Sequence, residues 1–119
     1  MNCDYEPNIS AEEFLELMIK SRGTDDVVIL DIRTADEYEV YHLEGAINID
    51  FYDEKFDEYL DELDKEKTHM IYCRTGRRTG TAENHALGRM LKKGFSRVHN
   101  MLGGIHAFVK VPGADDVIE

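Results

Sequence analysis

Residues 27–31 read VVILD. Three β-branched residues and a leucine run together with no polar residue between them. A run of this kind suits a strand buried on both faces, as strands are in a parallel sheet. A one-sided sheet would instead alternate apolar and polar positions. Parallel strands need crossover connections, usually helices, and the flanking sequence supplies them. Strand-like segments recur at Ile47-Asn48-Ile49, His69–Tyr72 and Val98-His99-Asn100-Met101, each separated from the next by a helical pattern. Strands alternating with helices predict an α/β fold: three α/β/α layers, with a mostly parallel central sheet and helices on both faces.

The helical segments carry local signals. Asn8-Ile9-Ser10 opens the first, with Ser10 as N-cap and Glu13 as its capping-box partner. Phe14, Leu15, Leu17 and Met18 give it an apolar face, and Gly23 marks its end. Thr34 and Glu37 form a second capping-box pair, opening a short helix through Tyr41. Residues 53–66, DEKFDEYLDELDKE, place Phe56, Tyr59, Leu60 and Leu63 on one helical stripe and acidic residues opposite. A helix is predicted from about Arg78 to Lys92, and a last one begins near Ile105 after Gly103-Gly104. No repeat, linker or second domain is visible. The expectation is one domain over 1–119 with its core at about 8–110, the tail VPGADDVIE leaving the fold.

With 42% hydrophobic residues, a chain of this length can build a core without disulfides or a metal. The formal net charge is −11, the opposite of what a nucleic-acid or anionic-membrane binder shows. No apolar stretch approaches the roughly 20 residues of a membrane span. The N-terminus MNCDYEPNIS lacks the basic and apolar regions of a secretory signal, which makes a cytoplasmic location the expectation. The two cysteines, Cys3 and Cys73, form no zinc-type cluster. A disulfide between them is disfavoured in a reducing compartment, and Cys3 reads as incidental.

Residues 70–80, MIYCRTGRRTG, concentrate the chemistry. A short apolar run delivers Cys73, and three arginines follow within five residues. A free thiol with pKa near 8.5 is only about 3% thiolate at pH 7. Arg74, Arg77 and Arg78 are permanent cations that favour the anion. Gly76 allows the backbone to curl into an anion-binding nest, and a helix starting directly behind the loop would add its positive end. Cys73 then reads as a nucleophile seated in an anion hole. The alternative reading is a buried cysteine at a strand end, a common fate of that residue type.

The loop CRTGRR resembles the six-residue active-site loop of rhodanese-like sulfurtransferases, in which cysteine leads and arginine or threonine closes. Asp31-Ile32-Arg33-Thr34 with Glu37-Tyr38 is similar to that family's D-x-R-(S/T/P)-x-x-E-(Y/F). His42-Leu43-Glu44-Gly45-Ala46-Ile47-Asn48 is similar to its (G)-H-I-x-G-A-x-N, and Met101-Leu102-Gly103-Gly104-Ile105 to its L-x-G-G-(I/F). The resemblance spans Ile9 to Phe108. It implies a three-layer domain in which the Cys73 thiolate takes sulfane sulfur from thiosulfate or a persulfide and passes it to a thiol, cyanide or a partner protein. Arg74, Thr75, Gly76, Arg77 and Arg78 would bind the donor, and neither cofactor nor metal is implied. In two places the chain departs from the pattern: Tyr41 stands where the family has glycine, and Phe108 where it often has tryptophan.

Asp31, Arg33 and Glu37 admit two readings, as groups orienting a loop arginine or as a structural ion-pair and capping cluster. His42 reads as structural rather than as a general base. Rhodanese-like phosphatases and arsenate reductases use a longer loop, Cys-x5-Arg. Here the sixth residue after Cys73 is Thr79, and Arg78 falls one place short. Two alternatives to the sulfurtransferase stay open: a sulfur carrier or interaction module without turnover, and such a phosphatase.

Overall fold

The computed structural model describes residues 6–79 and 84–119. Five strands, β1 (Asn8–Ile9), β2 (Val27–Asp31), β3 (Ile47–Asn48), β4 (Thr68–Tyr72) and β5 (Arg97–Met101), form one sheet in the order β1-β5-β4-β2-β3. Every pairing is parallel. The helices are α1 (Ala11–Lys20), α2 (Ala35–Val40), α3 (Phe56–Asp61), α4 (Ala86–Lys92) and α5 (Gly104–Phe108). Helices cover both faces, as a parallel sheet requires.

Side chains alternate across β4 and divide the core in two. Met70 and Tyr72 join Phe14, Leu15 and Met18 of α1 and Ile105 and Phe108 of α5. Ile71 and Cys73 face the other way, toward Phe56 and Leu60 of α3 and Ala86, Leu87 and Met90 of α4. Phe14 meets Tyr72 and Phe108 edge-on, at ring-centroid distances of 6.2 and 6.1 Å. Phe108 therefore fills the place of the expected tryptophan with its ring fully buried.

Both predicted capping boxes form: Ser10 with Glu13 at α1, and Thr34 with Glu37 at α2. Elsewhere the structure corrects the sequence reading. Asn8 and Ile9 do not open a helix. They form β1, whose register against Asn100 and Met101 adds an edge strand, and two residues are too short to show a period. The helix in 53–66 is confined to Phe56–Asp61, because the Glu62 N–H turns back to Tyr59 and Leu60 carbonyls. The helix expected from Arg78 begins at Ala86 instead. Arg78 and Thr79 lie in a turn, and Ala86 N–H bonds Arg78 O at 2.9 Å across the loop. Residues 80–83 of that expectation, and Cys3, lie outside the described residues.

The tail does not leave the fold. Gly113, at φ +92°, turns the chain into a 3₁₀ turn over Ala114–Val117, and both Ala114 and Val117 are buried. Backbone bonds then fasten it to the segment after α2: Glu44 N–H to Val117 O (2.7 Å), His42 N–H to Glu119 O (2.9 Å) and Glu119 N–H to His42 O (2.7 Å).

The carboxyl ends of β2 and β4 are adjacent, Asp31 pairing with Tyr72. Cys73 follows at once, and its backbone is held from the side by α5. Ile105 N–H donates to Cys73 O (2.9 Å) and His106 N–H to Arg74 O (3.1 Å). This approach demands Gly104. Its φ is +62°, and a Cβ there would sit 2.5 Å from the Arg74 carbonyl carbon and oxygen. Gly104→Ala combines a left-handed backbone with a clash against backbone that cannot yield, and should cost about 3 kcal/mol. Gly23→Ala shares the positive φ (+80°) but meets nothing within 4 Å, so about 1 kcal/mol is expected. Urea unfolding of the two variants checks the contrast, and equal losses would contradict the packing account.

His69 gives a second prediction. It is fully buried, Nδ1 faces Lys67 O at 3.0 Å, its ring stands edge-on to Phe95, and Nε2 has no partner among the described residues. Burial pushes its pKa below the ordinary histidine value, against the raising effect of the Lys67 carbonyl. The folded state thus binds this proton less readily than the unfolded chain. Stability from this group is complete above about pH 6.5 and falls as the pH drops below it. His69→Phe should flatten the decline in melting temperature between pH 7 and pH 5; an unchanged slope would refute the assignment.

Candidate active site

The floor of the site is a buried polar network at the carboxyl ends of β2 and β4. Asp31 accepts from Arg33 N–H (2.9 Å), from Arg33 Nε (3.0 Å to each oxygen) and from Arg33 Nη2 (2.6 Å). The Tyr72 hydroxyl donates to Asp31 Oδ2 (2.8 Å) and accepts from Leu43 N–H (3.1 Å). Arg33 Nη2 also donates to Tyr41 O (2.7 Å). Burial works against the Arg33 cation, but the Asp31 hydrogen bonds and charge outweigh it and raise its pKa further. Burial, reinforced by the Asp31 charge, pushes the Tyr72 phenol far up, so it stays a neutral donor. Asp31 and Arg33 thus satisfy each other below the site, and among the described residues no hydrogen bond links either to the loop arginines.

Above this floor the loop curls around the cysteine. Gly76 adopts φ +92°, and its N–H donates to Cys73 Sγ at 3.0 Å. Among the described residues no other loop amide bonds the sulfur. Among the described residues the nest expected from several amides is thus one short N–H···S contact, and α4 begins at Ala86. Cys73 is completely buried. Beneath the loop, Thr79 Oγ1 lies 3.8 Å from Sγ. The Thr79 hydroxyl is also hydrogen-bonded to Asn100 Oδ1, and Asn100 Nδ2 donates to Asn8 Oδ1 (2.9 Å).

Thr34, Glu37, Tyr52, Arg74, Thr75, Arg77 and Arg78 line a cleft of about 670 Å³ over the loop. Arg74 and Arg77 are exposed and have no acidic partner among the described residues. Arg78 is held on both sides: Nη1 is 3.4 Å from Glu37 Oε1, and its guanidinium lies 5.5 Å from the Tyr52 ring centroid. Glu37 also closes the α2 capping box. Burial would raise its carboxyl, but the Thr34 N–H and Arg78 outweigh that and hold its pKa below the ordinary range, so it is ionised at neutral pH. A different groove, lined by α1 and by Val27, Thr68 and Arg97 at the amino ends of their strands, lies at the opposite edge of the sheet.

Of the residues singled out in the sequence, Arg74, Thr75, Arg77, Arg78 and Glu37 meet around the cleft, while Cys73 and Gly76, on the same loop, do not line it. Asp31 and Arg33 lie below. His42 stands apart: Nδ1 bonds Tyr38 O at 2.8 Å, the ring stacks on Tyr38 at 3.8 Å, and Nε2 faces Glu119 at 3.5 Å. Tyr41, in the family's glycine position, is extended at φ −167°, a conformation open to any residue. Tyr52, Tyr72, Thr79 and Asn100 were not singled out for the site. Asn100 was detectable as a polar residue in an otherwise buried strand end; Tyr52 carries no such signal.

A sequence profile of the rhodanese-like domain matches residues 10–111. Thiosulfate sulfurtransferase GlpE of Coxiella burnetii is 31% identical over 91 residues, covering 76% of this chain and 77% of that protein. The putative sulfur carrier protein YrkF of Bacillus subtilis is 31% identical over 104 residues, 87% of this chain and 51% of that protein. The solution structure of the rhodanese-like domain of the Anabaena protein Alr3790 superposes with a TM-score of 0.76 at 23% identity, over 96% of this chain and 79% of that one. Sequence motifs, parallel sheet and cysteine loop converge with these comparisons: the chain belongs to the rhodanese-like domain family.

Proposed function

We propose that the protein is a sulfurtransferase that carries sulfane sulfur as a Cys73 persulfide. The observation that carries this reading is the Gly76 N–H 3.0 Å from Sγ, a fixed donor where a sulfur anion must be stabilised. With thiosulfate, the Cys73 thiolate attacks the outer sulfur. The S–S bond breaks, its electron pair leaves on sulfite, and Cys73–S–S⁻ remains. A thiophilic acceptor, cyanide or a thiol, then attacks the terminal sulfur and returns the Cys73 thiolate. This is covalent catalysis by an activated nucleophile. Sγ is fully buried, so the donor reaches it only when loop side chains shift. Arg74 and Arg78 hold the oxyanion end of the donor by charge-assisted hydrogen bonds. No helix of the described residues is long and apolar enough to cross a membrane, and a cytoplasmic setting is part of the proposal.

The 31% identity to a putative sulfur carrier favours a second reading, in which the same persulfide is handed to a partner protein. Both readings require Cys73 to load. Incubation with thiosulfate should add about 32 Da to the wild-type chain and nothing to Cys73→Ser, as read by mass spectrometry. Loading with slow release to cyanide but fast release to a protein thiol would favour the carrier. No adduct together with hydrolysis of an aryl phosphate would sink both in favour of a phosphatase.

Arg78→Ala removes one contact to a sulfur oxyanion. It should lower kcat/KM for thiosulfate by about tenfold, the size of one charge-assisted hydrogen bond. A persulfide with a neutral end should lose much less. Equal losses on the two donors would contradict the role given to Arg78.

A further inference from the structure

The cleft lined by the arginines of the Cys73 loop is not a pure anion site. Glu37 forms part of its wall, and its side chain remains 27% exposed. Its hydrogen bonds from Thr34 N–H (3.0 Å), Thr34 Oγ1 (3.1 Å) and Arg78 Nη1 (3.4 Å) all fall on Oε1. Among the described residues nothing bonds Oε2, which leaves a carboxylate oxygen available to a ligand. Arg74 and Arg77 remain as cations without acidic partners in the same cleft. A carboxylate here repels a dianion such as thiosulfate, and that charge is a poor match if a sulfur oxyanion is the only donor. The space is also generous: about 670 Å³ falls in the range of roughly 300–1,000 Å³ that organic ligands occupy, far above the needs of a five-atom ion. Tyr52, 69% exposed, adds an aromatic wall for carbon.

We propose that the cleft selects a zwitterionic donor, the persulfide of a thiol-bearing α-amino acid, with its carboxylate on Arg74 and Arg77 and its ammonium on Glu37 Oε2. This inference rests on the sulfurtransferase reading and names its substrate class. The step balances without a further reagent: the Cys73 thiolate attacks the outer sulfur of R–S–SH and the S–S bond breaks. R–S⁻ leaves with the electron pair and takes up the proton that Cys73–S–SH releases.

The test compares cysteine persulfide with the persulfide of 3-mercaptopropionic acid, which lacks only the amino group. Loading of Cys73 is followed by mass spectrometry, each rate being divided by that donor's rate with a free thiol in solution. Wild-type protein should prefer cysteine persulfide by about tenfold, one charge-assisted hydrogen bond. In Glu37→Gln the preference should fall toward parity while loading from thiosulfate rises, because the repelling charge is gone. Glutamine also serves in a capping box, so α2 retains its cap. Equal loading of the wild type by the two persulfides would overturn the inference without touching the proposed function, and needs no variant. A preference that persists in Glu37→Gln would overturn it as well. Failure of Cys73 to load from any donor, thiosulfate included, removes both.

Discussion

One buried carboxylate sets the geometry on which the site stands. Asp31 ends β2, is inaccessible to solvent, and takes hydrogen bonds from Arg33 and from the Tyr72 hydroxyl. Tyr72 is the residue before Cys73, and its hydroxyl in turn holds Leu43 N–H, while Arg33 holds Tyr41 O. A single charge therefore ties together the ends of two strands and the segment that follows α2. Such a pair is weak support for stability in itself, since two desolvated charges largely cancel their attraction. Its value lies in position: losing either partner strands the other in a low-dielectric interior, so the arrangement tolerates little displacement. Cys73 inherits that rigidity.

From this anchor the site is assembled by contacts of different stiffness. Below and beside Cys73, backbone meets backbone: Ile105 and His106 N–H groups bond the carbonyls of Cys73 and Arg74 through the space that Gly104 leaves. On the cleft side, Arg74, Arg77 and Arg78 stand with Glu37 and Tyr52. Glu37 links the two regimes, because the residue that caps α2 also pairs with Arg78. The position of a helix start and the direction of a loop arginine are set by one carboxylate. The acidic balance of the whole chain does not govern the cleft, where three arginines face one carboxylate. Screening over about 8 Å at physiological salt confines each charge to its own neighbourhood.

What the sequence disclosed follows the range of the interaction responsible. Ser10 with Glu13 and Thr34 with Glu37 are contacts three residues apart, and both were readable as capping boxes. The apolar runs of β2 and β4 were readable because burial on both faces leaves a continuous pattern. β1 was not, since Asn8 and Ile9 become a strand only through pairing with Asn100 and Met101. The tail VPGADDVIE reads as leaving the fold, yet buried Ala114 and Val117 and backbone bonds to His42 and Glu44 hold it once Gly113 turns the chain. In the site, the arginines and Cys73 announced themselves by clustering. Tyr72 and Thr79 did not, because their partners lie 41 and 21 residues away.

Loop length acquires a physical meaning through Thr79. The sequence count places Arg78 fifth after the cysteine, and the residue where a longer loop carries its arginine is a threonine. In the structure that threonine is fully buried, hydrogen-bonded to Asn100 on β5 and 3.8 Å from Sγ. The Thr79 side chain points inward, so position 79 belongs to the core and not to the cleft. A guanidinium in place of this buried threonine would be desolvated and would overfill the space beside Asn100 and Sγ, a cost of several kcal/mol. Arg78, by contrast, lines the cleft, and Glu37 and Tyr52 hold it there. The step from Arg78 to Thr79 is thus the step from a side chain in the cleft to one in the interior.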